Sequence, residues 1–147
     1  MRFLESFVIM KYFKEQEFIK STTAKKNKID NTPSSEILSH IRELMGFLDP
    51  IREKWGKPIY ITSGYRCEAL NALVKGVKTS NHLTGYAADM KTENVSKFYY
   101  WLVRYMLDNH IKFDELFLET KGASQWVHFA LKNKFGKQRL KTGLLFP

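Results

Sequence analysis

Between Ser35 and Trp55 the apolar residues Ile37, Leu38, Ile41, Leu44, Met45 and Leu48 recur at helical spacing, which lays a single apolar stripe along one helix. A stripe of that length has to be covered by a second layer, so it dictates a packed fold rather than an extended one. Ser34 or Ser35 can cap its start, and Gly56 fits its stop. Pro50 is expected to kink or divide it, because proline removes a backbone donor and crowds the preceding turn. Upstream, Ser21 to Pro33 contains Lys25-Lys26-Asn27-Lys28 and Asp30-Asn31-Thr32-Pro33 and reads as an irregular surface loop. Downstream, Ile59 to Thr62 reads as a short strand ending at Ser63-Gly64, Glu68 to Val74 as a brief helix, and Tyr86 to Lys91 as a second strand. Ser96 to Leu107 is apolar on nearly every side, which predicts a buried helix. Two late strands follow, Lys112 to Glu119 and Trp126 to Leu131, around a turn containing Gly122. Helices early and strands late predict an α+β fold: a single small domain over residues 1–147, with a mainly antiparallel sheet flanked by helices.

Composition supports one core. With 147 residues, 44% of them hydrophobic and 14% aromatic, the chain can fill one domain, and global disorder is excluded. No stretch approaches the ~18 apolar residues of a membrane span. The opening Met1 to Met10 has a basic start, but Glu5 interrupts its apolar run and no small-residue cleavage site follows. It is therefore not read as a signal peptide, and synthesis in the cytoplasm is expected. Cys67 is the only cysteine, so no internal disulfide forms. The net charge of +9, from 24 Lys+Arg against 15 Asp+Glu, favours an anionic partner: nucleic acid, lipid headgroups or a cell-wall polymer. The run Lys132, Lys134, Lys137, Arg139 and Lys141 has no acidic neighbour through Pro147, although a solvated surface accounts for it equally well. Recognisable DNA- or RNA-binding motifs are absent and the aromatics gather in one apolar helix, so a specific nucleic-acid partner is not expected.

Four histidines exist: His40, His82, His110 and His128. His82 precedes Asp89 by seven residues, with Gly85 between them to let the chain turn, and His128 sits within an apolar strand. Two imidazoles and one carboxylate form a sufficient ligand set for a catalytic zinc with an open fourth position. Water at such a site ionises near pH ~7. Spacing alone leaves plain alternatives open: a locally bonded loop histidine, a capping carboxylate and a satisfied core histidine. His40, at the edge of the first helix's apolar face, and His110, near a helix end, are assigned to structure.

The flanking residues are more specific. Ser63-Gly64-Tyr65-Arg66, Leu70-Asn71, Gly76, Ser80-x-His82-x-x-Gly85-x-Ala87-x-Asp89 and Trp126-Val127-His128 together resemble the zinc D-alanyl-D-alanine peptidase family, whose fold is shared with the hedgehog signalling domain. That family includes bacterial D,D-carboxypeptidases, D,D-dipeptidases and many phage endolysins. The likeness extends back to Ser21-Thr22-Thr23-Ala24 and Ile29 to Pro33, and forward through Phe113-Asp114-Glu115-Leu116 and Glu119. The resemblance implies His82, Asp89 and His128 as ligands of one Zn2+ per chain. It also implies Arg66 as the group stabilising the substrate's carbonyl or carboxylate, and Ser80 as a substrate contact. A surface salt bridge for Arg66 and a turn hydroxyl for Ser80 are the structural alternatives.

The catalytic base is the point of departure. Many relatives carry an acid three positions before the last histidine, where this chain has Gln125, which cannot accept a proton from water. Glu119 is the next choice, with a solvent-facing strand end as its alternative. If the two late strands pair antiparallel with an odd positional sum, Glu119 and His128 share a face; an even sum separates them. Tyr65 and Trp126 are expected near the site, Trp126 chiefly in core packing. The expected activity is hydrolysis of peptidoglycan peptides, of the D-Ala-D-Ala carboxypeptidase or L-Ala-D-Glu endopeptidase type. A monomeric phage-type endolysin, reaching the wall after membrane breach or by another export route, is the form expected. A non-catalytic wall- or partner-binding domain that keeps the zinc site is the reading Gln125 would favour.

Overall fold

The apolar stripe of the first long helix is met by one face of a five-stranded sheet, as a computed structural model describing residues 10–147 shows. The reading of Met1 to Met10 falls almost wholly on residues 1–9, outside the described residues. In chain order the elements are α1 (Glu15–Ile19), α2 (Thr22–Lys26), α3 (Ser35–Trp55), β1 (Ile59–Ser63), α4 (Glu68–Leu73), a 3-10 turn (Asn81–Thr84), β2 (Ala87–Thr92), α5 (Val95–Asp108), β3 (Glu115–Lys121), β4 (Ser124–Ala130) and β5 (Lys141–Leu145). The strand order is β1-β2-β4-β3-β5. Every pairing is antiparallel except β3 with β5. This is the expected α+β domain with a mainly antiparallel sheet.

Alternation along the strands divides the sheet into two faces. Ala88 and Met90 of β2, Val127 and Phe129 of β4, and Leu116 and Leu118 of β3 join one buried cluster. Ile41, Leu44, Met45, Leu48 and Ile51 of α3 and Phe98, Leu102 and Met106 of α5 complete that cluster. The opposite face carries Asp89, His128, Trp126, Glu115, Phe117 and Glu119 by the same parity.

Three expectations are corrected by the structure and a fourth is filled in. First, α3 is not divided at Pro50 but continues through it to Trp55. Pro50 is exposed, so water can satisfy the carbonyl it frees, while buried Leu48 and Ile51 hold both sides of it in the core. Second, the Ser21 to Pro33 segment is not wholly irregular. It contains α2, whose first turn is closed by Ser21 Oγ accepting from Ala24 N–H at 3.1 Å. Helices this short have no readable period and form because tertiary contacts hold them; in α1 the anchor is Phe18, 1% exposed. Third, α5 is buried along one side only: Phe98, Tyr99, Leu102 and Met106 are covered, while Tyr100 and Leu107 are 58% and 65% exposed. Trp101 and Tyr105 flank the buried side, partly covered, and stack on each other at 5.3 Å. Fourth, the basic tail contains a strand, β5, which lies parallel to β3.

At the end of β1 the chain passes so close to α1 that only glycine fits at position 64. Tyr65 N–H donates to the Phe18 carbonyl at 2.7 Å, and a Cβ on Gly64 would stand 2.4 Å from that same oxygen. Replacing Gly64 by Ala is expected to cost about 2 kcal/mol or more, because backbone rather than a mobile side chain must give way. Urea denaturation of the variant, read as a lowered midpoint at unchanged slope, checks this.

Candidate metal centre

Asp89 and His128 are direct partners across the β2–β4 ladder, so both side chains leave the sheet on the same face. His82 arrives from outside the sheet. Ser80 Oγ accepts from His82 N–H at 3.2 Å and starts the 3-10 turn that holds His82. Gly85 then reverses the chain into β2 with φ +84°, where an added Cβ would also press within 3.0 Å of Ile37. The turn lays His82 over Asp89, with Nε2 3.3 Å from Asp89 Oδ1. His128 Nδ1 lies 2.9 Å from the same oxygen.

Each imidazole has its other nitrogen committed. His82 Nδ1 is 2.7 Å from the Gly64 carbonyl, which can only accept, so Nδ1 carries the proton and Nε2 presents a lone pair. His128 Nε2 donates to Glu115 Oε1 at 3.2 Å, leaving Nδ1 as the ligating atom. Ligating histidines are typically oriented in this way. His82, Asp89 and His128 each offer one ligand atom, all within 4.8 Å of one another. Metal–ligand bonds of about 2.0–2.1 Å in a tetrahedron place ligand atoms roughly 3.3 Å apart, so the donor set fits a small divalent ion with little movement.

The electrostatics favour a cation. Burial alone would raise the Asp89 pKa, but the two histidines outweigh it and hold the carboxyl far below its usual range. Burial likewise works against charge on His128, yet Asp89 and Glu115 push its pKa up to about 10. The pocket draws positive charge onto an imidazole that desolvation would otherwise keep neutral.

Arg66 stands beside this group. Its backbone N–H donates to the His82 carbonyl at 3.0 Å, and Nη2 donates to Ser80 Oγ at 3.4 Å. Its Nε is buried with no partner among the described residues. Burial lowers the Arg66 pKa, against the opposing pull of Asp89 and Glu119. Two clefts of about 590 and 690 Å³ meet at Arg66, Val74 and Asp89. Glu119 lines the second, and its Oε2 accepts from Trp126 Nε1 at 2.6 Å.

The β3–β4 register pairs Glu119 with Trp126 and Phe117 with His128, both odd sums, so Glu119 emerges on the His128 face. Gln125 pairs with Thr120, and its parity sends it to the opposite face, where its Nε2 donates to Thr120 Oγ1 at 3.1 Å. Trp126 lines the cleft rather than the core, and Tyr65 touches both. His40 bonds the Thr84 carbonyl at 2.7 Å and stacks on Tyr86, as a structural residue does; His110 is exposed beyond α5.

Sequence reasoning passed over Glu115, Asn81, Asp114 and Arg139 as site residues. The signal for Glu115 was parity: once Glu119 faces the cleft, the residue four earlier on the same strand does too. Asn81 Nδ2 donates to Asp114 Oδ2 at 2.8 Å and to Glu115 Oε1 at 2.6 Å.

Compared with known proteins, the family model described as Peptidase M15 matches residues 11–130. No curated protein matches the chain.

A divalent transition-metal ion at a hundredfold excess over its Kd is expected to stabilise the protein by about 2.7 kcal/mol, a rise in Tm of roughly 5–10 °C for a chain of this size. Differential scanning fluorimetry with and without the ion checks this, and the rise should vanish in Asp89→Asn and His128→Ala.

Proposed function

Because the chain belongs to the peptidase M15 family, we propose that it is a zinc-dependent peptidase that hydrolyses peptidoglycan peptides, acting as a monomeric, phage-type endolysin. The observation that carries the reading is that Glu119, Arg66, His82, Asp89 and His128 line one cleft, with Glu119 and His128 on the same face of the sheet. The chemistry that zinc supplies when held by these three residues is Lewis acidity toward the scissile carbonyl and toward water.

In this reading Glu119 accepts the proton from the attacking water and delivers it to the leaving amine. The Trp126 N–H fixes which carboxylate oxygen stays engaged, leaving the other free to move the proton. Arg66 holds the charge that develops on the carbonyl oxygen. Its largely desolvated surroundings make the guanidinium N–H groups stronger donors than they would be in water. Ser80 Oγ accepts from both His82 N–H and Arg66 Nη2, so its own O–H remains available to a substrate oxygen. The net charge of +9 supports retention on an anionic wall.

The non-catalytic alternative rested on Gln125. Gln125 projects from the face opposite His128 in the β3–β4 register, while Glu119 brings a carboxylate to the cleft, which supports the catalytic reading over the binding one.

Digestion of purified peptidoglycan, analysed by mass spectrometry, is expected to release a defined peptide fragment that a chelator abolishes. Glu119→Gln should retain bound zinc while losing about 10²–10⁴ in turnover. Full activity in Glu119→Gln would remove the glutamate from the mechanism; release of no fragment from several wall types by the zinc-loaded protein would favour the binding domain.

A further inference from the structure

The family match ends at residue 130, yet a side chain beyond it reaches the base of the metal group. Arg139 grips Asp114 with a two-pronged contact, Nε to Oδ1 and Nη2 to Oδ2 at 2.7 Å each, and adds its backbone N–H to Oδ1 at 3.1 Å. Asp114 is fully buried, and Arg139 is its only cationic contact among the described residues. Beyond Asp114 lies Asn81, whose amide nitrogen is shared between Asp114 and Glu115. From there the connection divides. Glu115 accepts from His128 Nε2, and Asn81 is joined through its peptide bond to His82.

We infer that Arg139, from the segment C-terminal to the family match, is a positioning residue for the metal group, acting on both histidines through Asp114 and Asn81. The inference rests on the zinc reading above. Its physical basis is that a buried carboxylate without its cation recruits any donor within reach. The nearest donor is the Asn81 amide. If Asp114 draws that amide toward itself, Glu115 loses its second bond and is free to turn away from His128, and the turn bearing His82 shifts with Asn81. Arg139 also lies 3.8 Å from Glu115 Oε2, close enough to steady that carboxylate by charge alone.

The backbone around Arg139 is arranged to deliver it. Leu140 adopts φ +56°, a region that branched side chains disfavour. The residue is held there because its N–H donates to the Phe113 carbonyl at 3.0 Å and Lys141 N–H donates to the Asp114 carbonyl at 2.9 Å. That reversal turns the Arg139 fork inward just before β5 begins its parallel run along β3.

The test is zinc affinity, measured by competition with a chromogenic chelator under conditions where circular dichroism shows every variant folded. Losing the direct partner of a metal ligand typically weakens binding 10–100-fold; Arg139 acts from further out, so Arg139→Gln is expected to bind zinc several-fold, up to about tenfold, more weakly than wild type. Arg139→Lys, which keeps the charge but not the fork, should fall between the two. Lys137→Gln, on the same segment with its side chain in solvent, should match wild type. Wild-type affinity in Arg139→Gln would overturn the inference, as would equal losses in Arg139→Gln and Lys137→Gln. Should Arg139→Gln fail to fold, Arg139→Lys decides alone: weakened binding supports the role and unchanged binding overturns it. A wild-type protein that takes up no zinc overturns the zinc reading and this inference together, which separates that failure from one confined to Arg139.

Discussion

Asp89 is the point on which the rest of the site turns. Its carboxylate leaves β2 half-buried where the two clefts meet, with an imidazole on either side, at 2.9 and 3.3 Å. A buried anion is costly unless positive charge or donors compensate it. The sheet solves this by parity: β4 is its direct neighbour, and the His128 opposite Asp89 must point the same way. His82 comes from a turn rather than a strand, and its approach requires both the close contact at Gly64 and the left-handed turn at Gly85. The apolar core beneath, with α3 and α5 packed on the other face, keeps the β2–β4 register from slipping, because a shift of one residue would exchange the metal-facing and core-facing side chains.

The imidazoles are useful only in particular tautomers, and these are set one layer further out. A backbone carbonyl fixes His82 and a carboxylate fixes His128. The two devices differ in consequence. The Gly64 carbonyl is part of the chain where β1 meets α1, so His82 is oriented by fold alone. Glu115 is a charged side chain that itself needs fixing, which Asn81 provides from the loop and Arg139 supports from the C-terminal segment. Holding one ligand by backbone and the other by a charged network makes the second the more sensitive to substitution.

How much of this was legible follows from the range of each interaction. α3, β2 and the β3–β4 hairpin carry their own period and turn residues, so the sequence displays them directly. α1, α2 and β5 do not. Each is five residues long and exists because a distant element supplies a surface, the core that buries Phe18 in one case and the β3 edge in another. The ligands were legible through ordered motifs, since a His-x6-Asp spacing alone is common by chance. Gln125 shows the opposite hazard. Its position three before His128 suggested a missing base, but three residues along a regular strand reverse the face. Arg139 gave no local signal at all, because its partner lies 25 residues away across a parallel pairing.

Charge is distributed to match these roles. A chain with a net +9 places Asp89, Glu115 and Glu119 along one cleft, with Asp114 behind Glu115, while Lys75, Lys121, Lys134 and Lys141 line the same cleft and form no ion pairs among the described residues. Arg139 commits its charge to Asp114 and Glu115, which leaves Asp89 and Glu119 to be balanced by Arg66 and a divalent ion. With that ion bound, the floor of the cleft approaches neutrality and the lysine rim sets the sign of the surrounding field. Without that ion the proton held by His128, whose pKa is pushed up to about 10, offsets part of the charge on Asp89, so an arriving ion has to displace that proton. The charge of the site is therefore set by which cation, proton or metal ion, sits against the Asp89 carboxylate.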